Sequence, residues 1–154
     1  MLSKIEYINK INGLKVYVRK NTFVKFVPST FHDYWRCGYV EFTLPKGLEY
    51  KYLQTGSWMA ESKGVAKIIE SIIQNTYVHG GITFTEQDVV TGIITIGFDC
   101  NHYLDTKHFL KKPRSVGYCI TNIEQMVKSV LKAKKMYRKI LINQKIKELK
   151  NKGK

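Results

Sequence analysis

Apolar and polar positions alternate from Leu14 to Lys20, with Leu14, Val16 and Val18 on one side and Lys15, Tyr17 and Arg19 on the other. That period of two predicts a half-buried β-strand. Residues 4 to 11 predict a shorter strand before it. Asn12-Gly13 between the two suits a tight hairpin, because both residues accept positive φ. A further β-rich run over residues 22 to 27 stops at Pro28, and a loop follows to Asp33. Tyr34 to Leu44 reads as the next strand, ended by Pro45-Lys46-Gly47. Residues 48 to 57 are aromatic and polar, a loop long enough for a lid or recognition segment.

The period then changes. Val65, Ile68, Ile69, Ile72 and Ile73 follow i, i+3, i+4, i+7, i+8, which predicts a helix over 63–74 capped by Ser62. Tyr77 to Thr85 predicts a strand, residues 86 to 92 a turn, and residues 93 to 98 a second strand. Leu104 to Gly117 predicts a loop. Thr121 and Glu124 have the spacing of a capping box. The helix after them carries Ile123, Met126, Val127, Val130, Leu131, Tyr137 and Leu141 in one stripe and extends to about Leu149. These elements predict an α+β fold in one domain over residues 1–154. An antiparallel sheet packs against two helices, of which the C-terminal one is long and basic.

Composition adds limits. Hydrophobic residues make up 44% and aromatics 12%, enough to form a core. No run of about 18 apolar residues occurs, so no membrane span is expected. The first residues lack the apolar region of a signal peptide. Cys37, Cys100 and Cys119 are an odd number, which favours free thiols in a reducing compartment. The net charge of +14 is uneven: Lys128 to Lys154 contains eleven Lys or Arg against the single acid Glu148, a net +10. This basic helical tail over 128–154 is either a solvated face or a contact for phosphates.

Two stretches stand out chemically. His79-Gly80-Gly81-Ile82-Thr83-Phe84 puts paired glycines beside a histidine. Glycines in a strand either form a bulge or let a ligand approach backbone amides, which suit an anionic group. Gly97-Phe98-Asp99-Cys100-Asn101-His102 ends an apolar run with four polar or reactive residues. In a continuing strand Asp99 and Asn101 share one side, Cys100 and His102 the other. Cys37, His79, Asp99, Cys100 and His102 are ligand types that zinc accepts, but the paired spacing of compact zinc sites is missing. A nucleophilic pair of Cys37 or Cys100 with His79 has no local signature. Walker A, G-x-G-x-x-G, H-E-x-x-H and G-x-S-x-G motifs are all missing, which argues against the enzyme classes they mark.

With Trp35-Arg36-Cys37-Gly38-Tyr39-Val40, and with Asp105 after the last block, these stretches resemble three signature blocks of a widespread group of small bacteriophage and prophage proteins. That group carries Arg-Cys-Gly-Tyr-Val, His-Gly-Gly-(Leu/Ile)-Thr-(Phe/Tyr) and Gly-Phe-Asp-Cys-(Ala/Asn)-His in the same order. The resemblance spans about residues 35 to 131. It implies a phage accessory protein made in the host cytoplasm and brings no biochemical activity with it. The chain departs from the group by a β-rich N-terminal extension, residues 1–30, and by its longer basic helix.

Such accessory proteins often counter host immunity, and the expected function is to bind and sequester a nucleotide-derived immune signal. Arg36, His79 and His102 then face phosphates, Asp99 or Asn101 anchors hydroxyls, and Gly80, Gly81 and Thr83 belong to the pocket. The rival expectation is an inhibitor of a CRISPR-type nuclease. Its basic helix, with Lys132, Lys135, Arg138 and Lys139, would contact nucleic acid or the effector. A third is a metal-dependent hydrolase of the same signal. A binding role is favoured over an enzymatic one, with no cofactor and no resident metal. The expected partners are a nucleotide-like small molecule or a host defence protein. Nucleic acid at the tail and self-association remain open, and no membrane partner is expected.

Overall fold

The structure is a computed structural model that describes residues 1–24, 30–44, 72–88 and 90–152. Five strands form one antiparallel sheet: β1 (Leu2–Ile11), β2 (Leu14–Thr22), β3 (Tyr34–Phe42), β4 (Phe84–Gln87) and β5 (Ile94–Asp99). Their order across the sheet is β1-β2-β3-β5-β4. A short 3-10 turn, Tyr103–Asp105, follows β5, and a 37-residue helix, α1 (Val116–Lys152), ends the described chain. Residues 72–75 are helical, and Thr76 closes them by donating its hydroxyl to the Ile72 carbonyl. The expected helix start and the lid loop, residues 63 to 71 and 48 to 57, lie outside the described residues.

The hairpin turns at Asn12 and Gly13, whose φ values of 50° and 80° are the positive pair that a type I′ turn needs. The alternation of β2 places Leu14, Val16 and Val18 on the core face. Val40 and Phe42 of β3 and Ile94, Ile96 and Phe98 of β5 join them. From α1 come Cys119, Ile123, Met126, Val127, Val130, Ala133 and Tyr137, which cover that face. The sheet is thus an α+β layer with a long helix on one side, and the first thirty residues supply two of its strands. Gly38 lies where the layers meet most closely: a Cβ there would overlap the Phe98 ring and touch Ile123.

Several local expectations change. Thr22 belongs to β2, whereas Phe23 and Val24 are outside any strand, and 25 to 27 are not among the described residues. Of the strand expected over Tyr77 to Thr85, only Phe84 and Thr85 are extended in the sheet. Gly80 and Gly81 take φ of 66° and 81°, and the Gly81 amide closes a turn on the Val78 carbonyl. β4 therefore starts only at Phe84 and includes Glu86 and Gln87, which the sequence put in a turn.

The helix α1 begins at Val116, ahead of the Thr121–Glu124 capping box. Ser115 is the cap, with its Oγ accepting the Tyr118 amide at 3.1 Å. Thr121 is inside the helix and donates to the Gly117 carbonyl one turn back. The stripe from Ile123 to Tyr137 is buried as expected, while Leu131 and Leu141 are only half-buried. From Arg138 onward nearly every described residue is exposed.

Candidate functional site

The sheet's second face carries the site. Cross-strand register builds it in rows, since directly opposed residues share a face. One row sets Tyr17 opposite Tyr39, Tyr39 opposite Gly97, and Gly97 opposite Phe84. Tyr17 and Tyr39 stack at 4.8 Å, and Tyr39 meets the Phe84 ring edge-on at 5.6 Å. The empty position at Gly97 makes this row possible, because a Cβ there would lie 2.6 Å from the Tyr39 ring. The next row sets Arg19 opposite Cys37 and Cys37 opposite Asp99. Trp35 lies two residues before Cys37 on the same face.

Between these rows and the chain after β5 lies an open pocket of about 460 Å³. Trp35, Cys37 and Tyr39 of the first block line it, with Thr83 and Phe84 of the second and Phe98, Asp99, Asn101 and His102 of the third. All three blocks thus meet at one cavity. The expected alternation within Gly97–His102 holds for Asp99, Cys100 and Asn101 and fails only at His102, beyond the end of β5 at Asp99. Asp99, Asn101 and His102 consequently line the pocket together, and Cys100 turns into the core. Asp99 Oδ1 accepts the Asn101 amide at 3.0 Å, which fixes the turn. The carboxylate also lies 3.6 Å from His102 Nε2. That nitrogen is buried and makes no hydrogen bond among the described residues.

His79 belongs to a second cluster behind His102, their ring centroids 5.3 Å apart. Its Nε2 lies 2.5 Å from Asp105 Oδ2, and its Nδ1 lies 2.8 Å from the Tyr118 hydroxyl. A carboxylate only accepts, so Nε2 donates to Asp105, and in the neutral ring Nδ1 accepts from Tyr118. The His79 amide donates to Asn122 Oδ1 at 2.9 Å. Asp105 is 4% exposed and also accepts Arg114 Nε at 2.9 Å and the His102 amide at 3.2 Å. Burial pushes its carboxyl up, but the hydrogen bonds from His79, Arg114 and His102 outweigh it and hold the group below the ordinary carboxylate value.

Arg36, expected at a phosphate, is also engaged elsewhere. Its Nε donates to Glu6 Oε2 at 2.6 Å and its Nη1 to the Arg114 carbonyl at 2.7 Å. Glu6 reaches it from the β-bulge where the β1–β2 register skips one residue between Ile5 and Tyr7. Arg36 and His79 therefore anchor the loops behind the site and do not line the pocket. Gly80 lies against the His102 ring, the Gly81 amide is used in its own turn, and neither glycine lines the pocket as expected. Of the expected ligand residues, Thr83, Asp99, Asn101 and His102 come together at the cavity.

The sequence reading gave no role to Tyr118, Asn122 or Arg114, since nothing in local spacing ties them to His79. It also passed over the aromatic wall. The i, i+2, i+4 placement of Trp35, Cys37 and Tyr39 on one strand face was the available signal.

The two thiols expected as candidates, Cys37 and Cys100, are poorly suited to attack. Burial pushes Cys37 up to about 11, and its Sγ takes the Asn21 side-chain amide at 3.1 Å. Contact with Cys119, whose sulfur is 3.9 Å away, and burial both push Cys100 up. Both ring nitrogens of His79 are committed, so it is not free to serve as the base of the expected pair with Cys37 or Cys100. Among the described residues no three His, Cys, Asp or Glu side chains are placed to hold a metal ion. No helix among them is long and apolar enough to cross a membrane. Lys132, Lys135, Arg138 and Lys139 are exposed on α1, away from the pocket residues in sequence and on the helix rather than the sheet. Comparisons with protein-family models, curated proteins and solved structures found no match.

Proposed function

We propose that the chain is a binding protein that sequesters a nucleotide-derived immune signal, as a phage-encoded counter-defence protein in the host cytoplasm. The observation that carries the binding role is the meeting of all three blocks at one open, aromatic-walled pocket with Thr83, Asp99, Asn101 and His102 at its polar end. A concavity that combines aromatic side chains with a few convergent polar groups is a usual form of small-molecule site. The phage assignment draws on the resemblance of the blocks. Sequestration is favoured over turnover because the cysteines are buried and the His79 imidazole is already hydrogen-bonded on both sides.

The test is titration calorimetry with ribonucleotides and cyclic nucleotides, followed by recovery of the ligand after denaturation. The ligand comes back intact. Asp99→Ala weakens binding about tenfold or more, as expected for loss of a hydrogen bond to a charged group. Consumption of the ligand, or unchanged affinity in Asp99→Ala, would sink this reading.

A second reading rests on the exposed cations of α1. If the helix contacts nucleic acid, replacing Lys132, Lys135, Arg138 and Lys139 with Gln flattens the plot of log affinity against log salt for duplex DNA by about 3 to 4. An unchanged slope assigns those side chains to solvent.

A further inference from the structure

We infer that the pocket takes the nucleoside end of its ligand, base against the aromatic wall and ribose hydroxyls at Asp99 and Asn101, and leaves the phosphates in solvent. This rests on the nucleotide-binding reading above and names the part of the ligand that the site recognises.

The charges around the cavity argue for it. Asp99 is the one carboxylate among the lining residues, and no Lys or Arg lines the pocket among the described residues. Two of the nearby cations, Arg36 and Arg114, are held by other groups. Arg36 is held by Glu6 and by the Arg114 carbonyl. Arg114 is held by Asp105 and lies over the Tyr118 ring at 4.6 Å. Arg19 spreads over the stacked Tyr17 and Tyr39 rings, 5.8 and 5.5 Å from their centroids. A phosphate placed in the cavity would therefore face the Asp99 carboxylate with no Lys or Arg in the lining to offset it, which is unfavourable.

The donor and acceptor pattern points the same way. One Asp99 oxygen is fixed by the Asn101 amide, and the other has no hydrogen-bond partner among the described residues. An ionised carboxylate only accepts, so it calls for hydroxyl or amino donors on the ligand. A ribose presents two adjacent hydroxyls. Beside Asp99 the Asn101 side chain offers both a donor and an acceptor. The wall of Trp35, Tyr39 and Phe84 suits a flat heteroaromatic ring by stacking or edge contact.

The test uses the full chain with adenosine, guanosine, cytidine and uridine, their 5′-mono- and triphosphates, and the 2′-deoxynucleosides. Trp35 at the cavity gives a fluorescence readout, and saturation-transfer NMR detects weak binding. For the preferred base, nucleoside and triphosphate bind within about threefold of each other, while the 2′-deoxy form is about tenfold weaker. Asp99→Asn, close to isosteric, removes most of that ribose preference. Binding that rises tenfold or more with added phosphates overturns the inference and leaves the nucleotide-binding reading standing. Equal binding of ribo and deoxy forms overturns the role given to Asp99. Binding of none of these compounds overturns the inference, and failure of the cyclic nucleotides as well overturns the reading beneath it.

Discussion

Asp105→Ala lowers the stability of the fold by about 3 to 5 kcal/mol, the range for removing one partner of a buried ion pair. The side chain is nearly inaccessible and joins three parts of the chain. Its Oδ2 accepts from His79 in the glycine turn and from the amide of His102 after β5, and its Oδ1 accepts from Arg114 before α1. Truncation leaves a guanidinium and an imidazole N–H without their acceptor in partly dry surroundings. For a domain of this size the melting temperature falls by on the order of 10 °C. Urea denaturation with an unchanged slope against denaturant reports the loss directly. A loss below about 1 kcal/mol would show that the cluster is more solvated than its burial implies.

The same carboxylate sets a pH dependence. Its hydrogen bonds hold it below the ordinary value in the folded state, and an unfolded Asp titrates near about 3.9. A depressed folded pKa means that the stabilisation is complete above the unfolded value and is lost as pH falls through the folded one. Wild type and Asp105→Ala therefore differ most above about pH 4, and the gap closes on further acidification. A gap that widened in acid would contradict the assignment.

The parts of the fold that the sequence revealed are those in which one local rule acts alone. The β2 alternation, the Asn12-Gly13 turn and the Ile123 to Tyr137 stripe each follow from period or turn chemistry, and each appears where expected. Errors arose where two rules competed. The apolar run from Tyr77 to Thr85 has strand composition, but positive φ at Gly80 and Gly81 bends it into a turn. Thr121 and Glu124 have capping-box spacing, yet Ser115 starts the helix earlier because Cys119 and Ile123 need helical spacing to reach the core.

The site was legible in part for a related reason. The polar run at the end of β5 marks a place where the strand stops, and Asp99, Asn101 and His102, singled out there, come to line one cavity. The partners of Arg36 and His79 were not. Glu6, Asp105, Arg114 and Tyr118 reach them across 26 to 78 positions of sequence. No periodicity carries that information, so Arg36 and His79 read as ligand contacts although the fold uses them to hold its loops.

That division of labour is most directly tested at the paired glycines. Gly80→Ala and Gly81→Ala impose a similar backbone penalty, since both positions have positive φ, and each loses about 1 to 2 kcal/mol for that reason. Their surroundings differ. A Cβ at Gly81 meets nothing within 4 Å, whereas one at Gly80 overlaps the His102 ring at Nε2. Gly80→Ala must push His102 out of place, which adds about 1 to 3 kcal/mol of overpacking strain. It also distorts the polar end of the pocket. Ligand affinity therefore falls in Gly80→Ala and stays near wild type in Gly81→Ala, although both proteins are less stable. The double variant Gly80→Ala/His102→Ala separates the two contributions. With the imidazole removed the added methyl has room, so the combined destabilisation is smaller than the sum of the single losses. Additive losses would mean that Gly80 acts through its backbone alone and that His102 does not depend on it for its position at the cavity.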